Sequence, residues 1–148
     1  MAPSEDVAVI DEELIQGALT ENHPELGGMA LSSMVSEAIS LRLSFKTVKT
    51  IANLSGFENL TTLCLDNNVL DKICNIDHLV NLKWLDLSFN NISVIEGLEN
   101  LTQLMDLSLY NNKISEIQGL DSCKDLQVGS SPEKQSREAR NIVFRIFL

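Results

Sequence analysis

A period of 22 residues, which runs through residues 60–125, constrains this chain more than any other feature of its sequence. Three consecutive lines of this length begin at Leu60, Leu82 and Leu104, and each opens with the pattern L-x-x-L-x-L-x-x-N. Each line then carries apolar residues at positions 11, 14, 17 and 20, with Cys123 at the last of these in the third line. Agreement at so many columns indicates an array of units that stack on one another.

The first half of each 22-residue unit predicts a short strand, and the second half predicts the segment that leads back to the next strand. The second and third leucines, such as Leu63 and Leu65, lie two residues apart, so they share the face that points into the core. Strands of successive lines then pair in parallel and form a short concave sheet. The later apolar residues close each coil on the convex side through short helical or 3₁₀ turns. The pattern is therefore typical of an α/β leucine-rich-repeat solenoid.

Asparagine recurs at position 9 of each line, as Asn68, Asn90 and Asn112. A polar side chain in an inward-facing column needs hydrogen-bond partners, and an amide both donates and accepts. We therefore predict an asparagine ladder that binds backbone groups where each strand turns away. Its role is structural, and the loss of one member is expected to cost about 1–3 kcal/mol.

The position of the repeats divides the chain into three segments. Residues 1–37 are predicted to form an acidic N-terminal arm, with a flexible start at residues 1–10, and cap helices at residues 11–19 and 29–37. Residues 38–128 form the leucine-rich-repeat domain of about four repeats, and its first, degenerate repeat carries Lys46 at the ladder position. Residues 129–148 form a divergent tail. This tail is either a helical cap over the last coil or unrelated sequence that interrupts a longer array.

Charge and cysteine content argue against several classes of function. The net charge is −10, and residues 1–41 contain eight acidic residues and no Lys or Arg. This balance disfavours nucleic acid and anionic membrane as partners. The three cysteines are odd in number, and the sequence shows neither a secretory signal nor a membrane-spanning stretch, so we expect a cytoplasmic protein with free thiols. The N-x-[ST] matches are then expected to remain unmodified.

The outward-facing residues of the predicted strands include the candidate binding residues. Trp84, Phe89 and Tyr110 form an aromatic patch that is flanked by Asp86 and Asp106. Exposed aromatic side chains beside charges are typical of protein-binding hot spots. We therefore predict a protein-binding surface at these five residues, with the alternative that Phe89 packs into the turn. The two aspartates are expected to be neighbours on the sheet and to form an acidic patch rather than a cation site.

The sequence contains no G-x-G-x-x-G, Walker A or H-E-x-x-H motif. Its imidazoles are His23 and His78, and the repeat pattern places Cys64 and His78 on opposite faces of a coil, which disfavours a Cys–His couple. We therefore expect a protein that is not an enzyme, with no catalytic residue, cofactor, metal or small-molecule substrate.

The sequences of the repeats resemble those of a known group of proteins. The pattern N-x-I-x-x-I-x-G-L is similar to the 22-residue repeats of protein phosphatase 1 regulators and of several axonemal proteins. The runs at residues 84–101 and 104–121, the acidic residues 11–19 and the degenerate first repeats together resemble the leucine-rich-repeat subunit, subunit 3, of the nexin–dynein regulatory complex. The resemblance covers roughly residues 7–128, and the chain departs from that pattern after Val128.

That resemblance implies a cytoskeletal protein of the axoneme in cilia or flagella, which helps to link doublet microtubules and to regulate dynein. Its implied partners are other subunits of the dynein regulatory complex and axonemal microtubule-associated proteins. The alternative is a regulatory subunit of protein phosphatase 1 or another leucine-rich-repeat adaptor.

Overall fold

The computed structural model describes residues 6–126, and the predicted tail at residues 129–148 lies outside the described residues. Four three-residue strands form one parallel sheet in sequence order: β1 (Ser40–Arg42), β2 (Thr62–Cys64), β3 (Trp84–Asp86) and β4 (Asp106–Ser108). The register follows the 22-residue period, because Leu41 lies opposite Leu63, Leu63 opposite Leu85 and Leu85 opposite Leu107. The central leucine of every strand is fully buried, as the alternation of side chains predicts.

The convex side is built from single hydrogen-bonded turns. The Leu79 N–H donates to the Ile76 carbonyl at 3.0 Å, and the Leu82 N–H donates to the Leu79 carbonyl at 3.0 Å. These are 3₁₀-type bonds between residues three apart, but within residues 38–126 none of them continues into a helix. The predicted helical turns are therefore reduced to isolated turns, because the second bond leads directly into the next strand. The isoleucines and leucines between the turns are buried and fill the coil, except in the last described coil, where Ile117 is 50% exposed and Leu120 is partly buried.

Two helices cover the first coil, where the sequence predicts cap helices. Helix α1 (Glu12–Asn22) begins after Asp11, whose Oδ1 accepts a hydrogen bond from the Leu14 N–H at 2.8 Å. A 3₁₀ turn (Pro24–Leu26) separates it from α2 (Leu31–Glu37). Buried apolar residues of both helices pack into the same core as the strand leucines. The solenoid core is therefore closed at its N-terminal end.

Part of the predicted flexible start packs against the first coil instead. Ala8 forms a parallel bridge with Val48, and its N–H donates to the Thr47 carbonyl at 3.1 Å. Ile10 is fully buried, and its carbonyl accepts a hydrogen bond from Asn53 Nδ2 at 2.7 Å. The expectation of flexibility is therefore wrong for residues 8–10. These residues add a short extended segment to the cap.

Position 16 of each repeat has a left-handed backbone, with φ between 57° and 72°. Asparagine occupies this position in the first two repeats and glycine in the last two, and both residue types tolerate such φ values. Asn75 Nδ2 donates to the Ile51 carbonyl of the preceding coil at 2.7 Å. In the same column, Gly97 and Gly119 lie close to the Ile73 and Ile95 carbonyls of the preceding coils, so this column is a line of close contact between coils.

Candidate functional site

The five predicted binding residues lie on β3, on β4 and directly after these strands. Trp84 and Asp86 belong to β3 and Asp106 to β4, while Phe89 and Tyr110 follow the two strands. The three aromatic side chains remain 48%, 43% and 42% exposed for Trp84, Phe89 and Tyr110. Trp84 and Tyr110 alternate with the buried Leu85 and Leu109, so they point outward, whereas Phe89 lies beyond β3, where the backbone is left-handed with a φ of 55°. The described residues thus present a half-exposed aromatic surface on the concave side.

Phe89 and Tyr110 contact each other across neighbouring coils. Their ring centroids are 5.3 Å apart with an interplanar angle of 73°, which is the edge-to-face arrangement that aromatic quadrupoles favour. The Phe89 N–H also donates to the Tyr110 carbonyl at 2.8 Å, so the backbone fixes the distance between the rings. Phe89 therefore packs on Tyr110 and remains available at the surface. The two rings form one continuous apolar patch.

The two aspartates of the site lie on the neighbouring strands β3 and β4, diagonally rather than directly opposite each other. Asp86 lies opposite Ser108, and Asp106 lies opposite Trp84. The two aspartates are 20 residues apart, whereas the repeat period is 22, so the parallel register places them on a diagonal. Each carboxylate is consequently beside a neutral neighbour in the sheet. Trp84 has a carboxylate next to it in the adjacent strand.

The Asp86 carboxylate has a fixed orientation. Its Oδ1 accepts hydrogen bonds from the Ser88 N–H at 3.0 Å and from Ser88 Oγ at 2.6 Å. Ser88 is itself buried, so the turn after β3 holds this oxygen in place. A carboxylate held in this way loses little conformational entropy when it binds a cationic group.

The cysteine and the histidines that the sequence singles out are occupied in structural contacts. Cys64 is buried in β2, and burial raises the pKa of its thiol, which lowers its nucleophilicity. His23 is buried, with Nε2 lying 2.8 Å from the Ser40 carbonyl, and His78 Nε2 lies 2.9 Å from the Leu54 carbonyl. Within residues 6–126, no group of three or more His, Cys, Asp or Glu side chains is arranged to hold a metal ion.

In the described part of the chain, neither helix has the length and apolar composition that crossing a membrane requires.

The three ladder asparagines bind backbone groups of their own coil and of the preceding one. Asn90 Nδ2 donates to the Leu65 and Leu87 carbonyls at 3.0 Å each, and its Oδ1 accepts from the Leu70 N–H at 2.9 Å. Asn68 and Asn112 make equivalent contacts one coil earlier and one coil later. These amides face inward, away from the aromatic patch.

Comparison with known proteins supports the repeat architecture. Residues 80–122 match the family model described as leucine-rich repeats in two copies. Internalin C2 from Listeria monocytogenes is similar in structure, with a TM-score of 0.60 and 29% identity, over 69% of this chain and 45% of the internalin. A second internalin from that organism, InlF, gives a TM-score of 0.65 at 23% identity, over 79% of this chain and 34% of its own. No curated protein matches the sequence.

The chain therefore spans less than half the length of either internalin. The likeness to InlF concerns the fold alone, because its sequence identity is low. Taken together, the 22-residue period, the parallel register and the matching family model identify a leucine-rich-repeat solenoid.

Proposed function

We propose that this solenoid is a non-enzymatic protein-interaction module whose concave face docks onto a protein partner. The observation that carries the proposal is the patch of Trp84, Phe89 and Tyr110, three aromatic side chains that the fold leaves almost half exposed. Aromatic side chains contribute large contact areas at a small entropic cost, so they dominate the energetics of protein interfaces.

The aspartates beside the patch contribute to partner choice. Asp86 and Asp106 lie on a diagonal across β3 and β4, and Trp84, which shares β3 with Asp86, lies opposite Asp106. Carboxylates at the edge of an apolar contact favour basic partners and repel acidic ones. The patch therefore combines apolar anchors with a preference for positive charge.

We also propose that the partner is axonemal. The support is the resemblance of residues 7–128 to the leucine-rich-repeat subunit of the nexin–dynein regulatory complex. On this proposal the chain resides in the axoneme of a cilium or flagellum, where it binds other subunits of that complex or axonemal microtubule-associated proteins. Its contribution to motility is to hold dynein regulators in place on the doublets.

Trp84→Ala is expected to weaken capture of the axonemal partner by about tenfold or more, because it removes the largest aromatic side chain of the proposed binding surface. The free energy of unfolding is expected to change by less than about 0.5 kcal/mol, since the side chain is half exposed. The measurement is recovery of axonemal proteins by the immobilised chain, with thermal denaturation of the same variant. Val94→Ala is the matched control, because Val94 is 41% exposed and lies outside the patch. A Trp84→Ala variant that loses stability to the same extent as binding would mark Trp84 as a core residue.

Localisation tests the axonemal part of the proposal separately. The tagged chain is expressed in ciliated cells, and the axonemes are then extracted with detergent. Retention in the extracted axoneme is the expected result. Release into the soluble fraction together with the catalytic subunit of protein phosphatase 1 would instead favour a phosphatase regulator.

A further inference from the structure

Position 8 of every repeat has a left-handed backbone. The φ angles are 59°, 55°, 55° and 52° at Phe45, Asn67, Phe89 and Asn111, in chain order. Asparagine tolerates this conformation, whereas an aromatic residue there costs about 1 kcal/mol. Two of the four repeats therefore carry a residue that the backbone disfavours.

The solenoid itself gains little from these phenylalanines. The Phe45 side chain is 75% exposed, more than any other large apolar residue among those described. Phe89 contacts Tyr110 but is still 43% exposed. A residue that is held in a disfavoured conformation and exposed to water indicates a role outside the folded chain. Covering by a partner is the role that fits two exposed rings.

The spacing of the two rings selects a helix as the partner. Phe45 and Phe89 occupy the same column two coils apart, which is about 10 Å at the usual strand separation. Residues seven apart on a helix share one face and are separated by about 10.5 Å. An extended segment spans about 10 Å in three residues, but side chains three apart in a strand point to opposite faces. A helix can therefore place two apolar side chains on both rings, whereas a strand cannot.

A carboxylate lies in the coil between the two rings. Asp66 precedes Asn67, and its oxygens accept hydrogen bonds from Ser44 Oγ at 2.5 Å and from Asn67 Nδ2 at 2.7 Å. Both donors are neutral, so these bonds orient the carboxylate without balancing its charge. On a helix that lies across the rings, the residues three or four positions after the first anchor stand above this coil. A Lys or Arg at those positions matches the carboxylate.

We propose that the phenylalanine rim, defined as Phe45, Asp66 and Phe89, binds a basic amphipathic helix of the protein partner. Apolar side chains seven residues apart cover the two rings, and a Lys or Arg between them pairs with Asp66. This inference rests on the proposed function and specifies the chemistry of the partner.

Designed helical peptides of about 20 residues test the proposal. The first peptide carries Leu at positions i and i+7 and Arg at i+3 and i+4, on an alanine-rich background. The second replaces both Arg with Glu, and the third moves the second Leu to i+5, on another face. Fluorescence anisotropy of labelled peptides, titrated with the full chain, gives the affinities. The Arg peptide is expected to bind about tenfold more tightly than either of the others.

Substitutions in the rim complete the test. Phe45→Asn is expected to weaken binding of the Arg peptide by about tenfold. Asp66→Asn is expected to weaken it by a smaller factor and to remove much of the salt dependence of binding. Phe45→Asn is also expected to keep or raise the free energy of unfolding, because Asn tolerates the φ of 59°. Loss of binding in this variant therefore does not come from unfolding. Val94→Asn, at an exposed apolar residue outside the rim, is expected to leave binding unchanged.

Absence of binding by the Arg peptide, equal binding of the Arg and Glu peptides, or insensitivity to Phe45→Asn would each overturn the proposal. Capture of the axonemal partner separates it from the proposed function. If Trp84→Ala abolishes capture and Phe45→Asn leaves it intact, the concave face binds the partner but the phenylalanine rim does not. If neither substitution affects capture, both proposals fail.

Discussion

Asn68→Ala is expected to lower the free energy of unfolding by about 3 kcal/mol, the largest loss in the asparagine ladder. Asn68 Oδ1 accepts hydrogen bonds from the backbone N–H groups of Lys46 and Val48, both at 3.0 Å. Its Nδ2 donates to the Leu43 carbonyl at 2.8 Å. The first repeat carries Lys46 where an asparagine would otherwise stand, so no ladder amide of that coil contributes to these bonds. An alanine at position 68 leaves two N–H groups without an acceptor in the coil.

The same substitution at Asn90 is expected to cost less, about 2 kcal/mol. Its Oδ1 serves the Leu70 N–H, whereas the carbonyls that its Nδ2 binds keep other donors. The Leu65 carbonyl also accepts from Asn68 Nδ2, and the Leu87 carbonyl also accepts from Asn112 Nδ2, each at 2.9 Å. Because neighbouring amides share these carbonyls, the loss of Asn90 leaves fewer backbone groups unpaired. Its first member has no such support from the preceding repeat.

Denaturation in urea, followed through the fluorescence of the single tryptophan, measures the stability of Asn68→Ala, Asn90→Ala and Asn112→Ala. Asn59→Ala is the matched control, because its exposed amide makes one bond, to the Ser36 carbonyl at 2.8 Å. We expect this control to change the free energy of unfolding by less than about 0.5 kcal/mol. Equal losses for Asn68→Ala, Asn90→Ala and Asn112→Ala would contradict the graded ladder.

The repeat period made the sheet predictable, because side-chain alternation and a fixed spacing leave one parallel register. Leu63, Leu85 and Leu107 face one another for this reason. The same register explains why Asp86 and Asp106 are diagonal neighbours, because they are 20 residues apart and the period is 22.

The left-handed columns were only partly visible in the sequence. At position 16, Asn and Gly recur every 22 residues, and this pattern is a usable signal for positive φ. At position 8, Phe45 and Phe89 give no sequence signal for positive φ. The turn after the strand, rather than the preference of the residue, sets the backbone conformation there. Packing of residues 8–10 onto the first coil left no periodic signal at all, since this segment occurs once. The edge-to-face contact of Phe89 and Tyr110 likewise depends on coil spacing rather than on local sequence.

Gly119→Ala is expected to lower the free energy of unfolding by about 2 kcal/mol, because the added methyl group would clash with the preceding coil. Gly119 has a φ of 69°, and a Cβ there would lie 2.7 Å from the Ile95 carbonyl oxygen of the preceding coil. Both the left-handed backbone and the close approach disfavour alanine. At the equivalent Gly97 the corresponding distance, to the Ile73 carbonyl oxygen, is 3.3 Å, so Gly97→Ala is expected to cost less.

Gly17→Ala is the same chemical change, but it is expected to raise the free energy of unfolding. Gly17 lies inside α1, and a Cβ there would have no neighbouring atom within 4 Å. Alanine in the interior of a helix is expected to stabilise the chain by about 0.5–1 kcal/mol, because glycine loses more backbone entropy on folding. Urea denaturation of the two variants therefore separates helix propensity from coil contact. If Gly119→Ala left stability unchanged or raised it, as expected for Gly17→Ala, the close approach to the Ile95 carbonyl would not disfavour a side chain at position 119.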